Sequence, residues 1–437
     1  MSSRRLVVLV LGLAVLGCGA LLAACGSSSD SGGGSSGSAD TGQTKGAKVI
    51  DVKAMDNAKG NVTVCMGKDT GGDVTAAIKA FNAQNNGVKA KILEFSTSAD
   101  EQRQQFVQRQ EAKSGECDVF SSDVIWTAEF ASQKWLYDLT PYIDTRRDEV
   151  IPATLETATF DGKVWGMPQQ TDAGFLYYRT DEVKTKPTSW QQVYQQAKDT
   201  KGLVYQGAPY EGLTCNYLEL AFAAGGKVLS DDGKKSEINS PENIKALQLM
   251  VDGVKNHTAA NGVTTYMEEE SRRYFESGKA TFMRNWPYAY ALGEKAKAVK
   301  GKFDVMPFPA FEGGGKAGIL GGHNQVVSVY SKNPGGALKW ISYITGTENQ
   351  KAQFLNASQS PTLKAVYDDP DVQKKYAFAT QLRDAISQAK SRPVSPVYPQ
   401  VSQAIYKNVN AALSGKATPE QALKTAQTEM DKALATF

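Results

Sequence analysis

Histidine is almost missing from this chain: His257 and His323 are the two in 437 residues. No HExxH run accompanies them, which argues against a zinc hydrolase centre. No Gly-Lys pair is followed by serine or threonine, and that removes the P-loop. Net charge is scarce too. The formal balance is +3, and Arg4 and Arg5 supply two of those charges from a segment that reads as removable. A nucleic-acid partner needs a basic face, and this balance offers none. Neither a metal nor a cofactor is expected. What is present is ordinary for a globular protein, 41% hydrophobic and 22% charged residues, on a chain long enough for two cores.

Cysteine is sparse, and two of the five fall in the N-terminal segment. Ser-Ser-Arg-Arg precedes an apolar run that holds Cys18 and ends in Leu22-Ala-Ala-Cys25. Small residues ahead of a cysteine resemble the lipobox of bacterial lipoproteins. That resemblance implies a signal peptide over 1–24, lipidation of Cys25 and attachment to the extracytoplasmic face of the cell membrane. The competing reading, an uncleaved span, needs a longer run than this one. Residues 25–58, opening with Gly-Ser-rich sequence, read as a flexible tether. The Gly33-x-Ser35-x-Gly37 match within it lacks the strand and helix that a nucleophile elbow requires. Cys65, Cys117 and Cys215 remain. Cys65 closes one expected strand and Cys117 opens another, so parallel strands would hold them apart, and three buried thiols are expected.

The folded part is expected to begin near Asn61. Strands at 62–66, 91–95 and 117–124 alternate with helical patterns, the first capped at Asp73 and the second over 99–113. Strand–helix–strand order means an α/β fold with a parallel sheet, whose ligands gather at the strands' carboxyl ends. Asp161-Gly162 marks a hairpin, and 173–179 is an extended run. Helices are expected at 188–200, 214–224 and 241–255, then a strand at 280–286 and another at 304–309. The C-terminal third reads as helices at 334–346, 398–413 and 418–435. Glycine-rich 313–322 suggests a second passage between lobes.

Three aromatics crowd into Arg284-Asn-Trp-Pro-Tyr-Ala-Tyr290, around a proline that stops the strand. Sugars pack apolar faces on such rings and pair hydroxyls with carboxylates and guanidinium forks. Asp123, Asp172, Glu211, Trp286, Tyr288 and Arg392 carry that chemistry at strand or loop ends. Asp123 has a second reading as a helix cap, and His323 as a structural residue. Trp126, Trp135 and Trp340 read as core, Tyr290 as packing, and Glu268-Glu269-Glu270 as a solvated helix start.

Taken together, DVFSSDVIW (118–126), TDAGFLYYRTD (171–181), QGAPYEGLTCNY (206–217), FMRNWPYAY (282–290), LGG (320–322) and RPVSPVYPQ (392–400) resemble the solute-binding lipoproteins of ABC importers, in their trehalose/maltose-binding branch. The resemblance implies a two-lobed periplasmic-binding-protein-like fold with a hinge and an interlobe cleft. Its lobes would be 59–169 with 318–361, and 170–317 with 362–437. It implies a monomer that hands a disaccharide or short oligosaccharide to a membrane permease, without catalysis. Ligand contacts then fall on Asp123, Asp172, the Trp286–Tyr288 pair, Gly321, Gly322 and Arg392, with Tyr210 and Glu211 beside them. Thr70, with Asp69 beside it, stands where the branch often has an acidic residue. Gln170 and His323 stand where aromatics can occur. The rival readings are a lipid-anchored glycosidase using two of these carboxylates, and a binding protein for a different oligosaccharide.

Overall fold

Parallel strands need long crossovers, and the first half of the fold is built on them. The structure, a computed structural model, describes residues 42–436. The expected signal peptide, Cys25 and the glycine–serine match lie outside the described residues. Strands β1 (Gly60–Met66), β2 (Val88–Glu94) and β3 (Val119–Asp123) run parallel, joined by helices Asp73–Ala83 and Ala99–Glu111. A hairpin of β4 (Thr159–Phe160) and β5 (Lys163–Val164) turns through Asp161 and Gly162, both at positive φ. The chain then extends through β6 (Gly166–Ala173), Gly174 and β7 (Phe175–Arg179). After β8 (Leu203–Val204), β9 (Phe282–Asn285) and β10 (Phe303–Met306) comes β11 (Leu320–Val327).

These strands make two main sheets, ordered β2-β1-β3-β11-β6 and β10-β7-β9-β8. The run β6–β7 passes from the first sheet to the second, and the glycine-rich segment before β11 carries the chain back. Helices Pro334–Ile344 and Thr347–Ala357 flank the first sheet, where Phe81 meets Trp340 edge-on at 5.5 Å. Helices Glu211–Ala223, Pro241–Lys255, Tyr398–Leu413 and Pro419–Leu434 pack together beside the second. Trp126 and Trp340 are fully buried and Trp135 partly so, while Tyr290 packs among Phe303, Tyr376 and Phe378. Among the described residues no helix is long and apolar enough to cross a membrane.

Four expectations need correction. The tether stops short of residue 58: Thr44 is buried on the Asp161 carboxylate, Ile50 is in the core, and Val49 bridges to Asp138. Cys65 and Cys117 form a disulfide, with Cα atoms 5.8 Å apart, and leave Cys215 as the buried thiol. The strand after Cys117 begins only at Val119, and the bend at Asp118 turns the cysteine towards β1. Asp73 does not cap its helix. Gly72 occupies that position with φ +73°, and the Asp69 carboxylate accepts from the Thr75 amide at 2.8 Å. The helix expected from 214 begins instead at Glu211, although Tyr210 ahead of it provides no side-chain cap.

A candidate sugar-binding cleft

Every ligand contact named from the sequence lines one cleft of about 410 Å³. Asp69, Thr70, Asp123, Asp172, Gly321, Gly322 and His323 come from the first sheet and its loops, and Tyr210, Glu211, Trp286, Tyr288 and Arg392 face them. The volume lies in the ordinary range of small-molecule sites.

Trp286 follows the last residue of β9, and Pro287 ends the strand there. The ring lies over the Arg284 guanidinium at 3.9 Å from its centroid, a cation–π contact at the back of the cleft wall. Arg284 is itself buried and gripped by Glu219, with Nε donating to Oε2 at 2.8 Å. Gln206 accepts a further guanidinium bond at 3.0 Å. Burial pushes the Glu219 carboxyl up although Arg284 draws it down. Opposite, Gly321 allows the indole to approach: a Cβ there would sit 3.1 Å from the ring. Gly322 has φ +120°, and its Cβ would lie 2.3 Å from the Gln170 carbonyl, so only glycine fits. A bulge follows at His323/Asn324, where the register of β11 on β6 shifts. Tyr288 heads the short helix Ala289–Gly293 and donates to Glu269 Oε1 at 2.7 Å.

The polar groups divide by partner. Asp172 accepts from Gln170 at 3.2 Å and Ser360 at 3.3 Å, and burial raises its pKa despite those bonds and nearby His323. Asp123 accepts from Arg392 and from the Ile125 amide, so it caps the 3-10 turn Val124–Trp126 rather than the helix that opens at Thr127. Arg392 donates to Glu211 at 2.7 Å and Asp123 at 3.3 Å, bridging carboxylates from opposite walls. Burial pushes Glu211 up to about 7 against the pull of Arg392 and Ser402.

Sequence reasoning missed several lining groups. Glu268 and Glu269 do open a helix, Glu268–Glu276, but they are half-buried rather than solvated. The Tyr210 hydroxyl donates to Glu268 at 2.6 Å, and burial raises that carboxyl. Gln102, Gln359 and Asp73 also line the cleft. Asp73 is pushed up to about 7 by burial and by the Asp69 charge, and its Oδ2 is buried without a hydrogen-bond partner. A carboxyl raised this way favours folding below its unfolded value near 4, and that contribution is lost as pH rises through about 7. Asp73→Asn keeps the group neutral at every pH. The variant is expected to melt higher than the parent at pH 8, by an amount worth about 4 kcal/mol, and to show no such gain at pH 4. Melting curves at the two pH values check this, and a gain equal at both would reject the assignment. Among the described residues no group of histidine, cysteine and acidic side chains is arranged to hold a metal.

Residues 67–351 match the family model for the bacterial extracellular solute-binding protein. A probable ABC transporter-binding protein from Deinococcus radiodurans is 36% identical over 369 residues, covering 80% of this chain and 87% of that one. The maltose-bound MalE3 structure from T. maritima is also 36% identical, with a TM-score of 0.81 over 85% of this chain and 98% of that one. A solute-binding protein from Thermotoga lettingae, solved with α-D-tagatose, is 25% identical with a TM-score of 0.79 over 86% and 99% of the chains. The chain belongs to the bacterial extracellular solute-binding protein family. It has that family's two-lobed α/β fold, and it is an extracytoplasmic carrier rather than an enzyme. The glycosidase reading is thereby set aside.

Proposed function

We propose that the protein is the receptor of an ABC sugar importer and captures an α-linked disaccharide of the maltose or trehalose type. The observation that carries this reading is the Trp286 ring, seated on Arg284 and lining the same cleft as Asp123, Asp172 and Arg392. Trp286 and Tyr288 stack on sugar faces, while the carboxylates and the guanidinium take hydroxyls from both walls. Tyr210 and Glu211 support that ring of contacts, Gly321 and Gly322 give the sugar close backbone approach, and Asp69, Thr70 and His323 set preference among sugars. The 36% identity to a protein solved with maltose supports the class.

The first lobe runs over 59–169 and 318–361, extended to residue 42 by the packed segment, and the second over 170–317 and 362–437. Contacts from both lobes favour the closed state, so sugar binding drives closure that a permease can sense. Cys25 anchors the monomer to the membrane through lipid. A thermal-shift panel of mono- and disaccharides on the mature protein tests the reading. Maltose or trehalose should raise the melting temperature in proportion to the logarithm of its excess over Kd. No shift with either sugar overturns it.

A further inference from the structure

The helix Glu211–Ala223 starts without a cap of its own. Tyr210 stands at the capping position in an extended conformation and offers no side-chain bond. The acceptor comes from elsewhere: Asp100 Oδ2 takes the Glu211 amide at 3.0 Å. Asp100 belongs to the first turn of the helix Ala99–Glu111, which packs on the first sheet through Phe106 and Phe120. Glu211 belongs to the second sheet's helical layer, where Thr214 bonds to Ser402. The Tyr406 hydroxyl of that same layer reaches the other Asp100 oxygen at 3.5 Å. Two helix N-termini therefore converge on one carboxylate, and the positive end of each favours a negative charge there.

We propose that Asp100 is a positioning residue for closure, capping the Glu211 helix from across the cleft and so holding the two walls together without touching the sugar. Asp100 is not among the residues lining the cleft. Separation of the walls hands the Glu211 amide to water, and closure restores its cap. The bond exists only with the walls together, so its loss speeds sugar release and leaves capture unaltered. The proposal rests on the sugar reading for the probe that closes the walls.

The test compares the parent with Asp100→Ala and Asp100→Asn, since asparagine keeps the capping oxygen and loses the charge. With maltose as probe, the alanine variant should release sugar about fivefold faster, as expected for a lost N-cap, at an unchanged association rate. Asparagine should restore release to within about twofold of the parent. Hydrogen exchange of the peptide beginning at Glu211, in maltose-saturated protein, should speed up in the alanine variant alone. Equal release and equal exchange in all three proteins overturn the proposal. So does an asparagine variant as impaired as alanine, because the charge and not the cap would then matter. If the parent binds neither maltose nor trehalose, the sugar reading fails by itself, and release and exchange are read with a sugar from the panel that does raise the melting temperature.

Discussion

Trp286→Ala is expected to weaken maltose binding by about a hundredfold or more, the effect of removing a central aromatic anchor from a small-ligand site. The indole and the Tyr288 ring line the same wall of the cleft. The indole's rear neighbour is the Arg284 guanidinium, which would then face the sugar's apolar C–H surface as a bare cation. Calorimetry on the variant measures the loss. The ring is half-buried, so the ligand-free melting temperature should fall far less than affinity does. Affinity within threefold of the parent would remove Trp286 from the stacking role.

Glu219→Ala is the second large effect, and it acts from outside the cleft. Arg284 is 2% exposed and Glu219 is fully buried, so truncating the acid leaves a buried guanidinium without its counter-charge. Breaking a buried pair from one side typically costs about 3–5 kcal/mol. For a chain of this size that is a fall in melting temperature of roughly 4–6 °C. Affinity for maltose should drop too, because the platform under Trp286 is no longer held in one orientation. Glu219→Gln retains an acceptor for Arg284 and should lie between the parent and the alanine variant. A Glu219→Ala protein that melts and binds like the parent would show that the pair does not seat the ring.

The alternation of strand and helix in the first half was legible because each element carries its own period. The Asp161-Gly162 hairpin was legible because both residues tolerate positive φ. The cleft residues were legible because their chemistry clusters at element ends. What escaped depends on partners far along the chain. The Glu211 helix starts early because its cap lies 111 residues away. Glu268 looks solvated in a run of three acids until Tyr210, 58 residues upstream, folds over it. The Cys65–Cys117 bond hinged on a bend at Asp118, which no local propensity announces. Residues 42–58 resemble a tether locally, and only Asp138 and Asp161 give them somewhere to pack.

One crossing between the sheets is the extended run β6–β7, interrupted at Gly174. A Cβ at Gly174 would lie 2.6 Å from the Glu219 carboxylate and 2.8 Å from Phe308. The pivot strand is thus pressed against the acid that grips Arg284, and through Arg284 against the aromatic platform. Platform and pivot share one mount, so the indole keeps its address relative to the crossing at whatever angle the sheets take. Thr70 hangs on the opposite wall, away from that mount, while His323 pairs with Gln170 of β6 itself. Exchange of Thr70 is therefore expected to shift sugar preference while leaving the crossing and its mount in place.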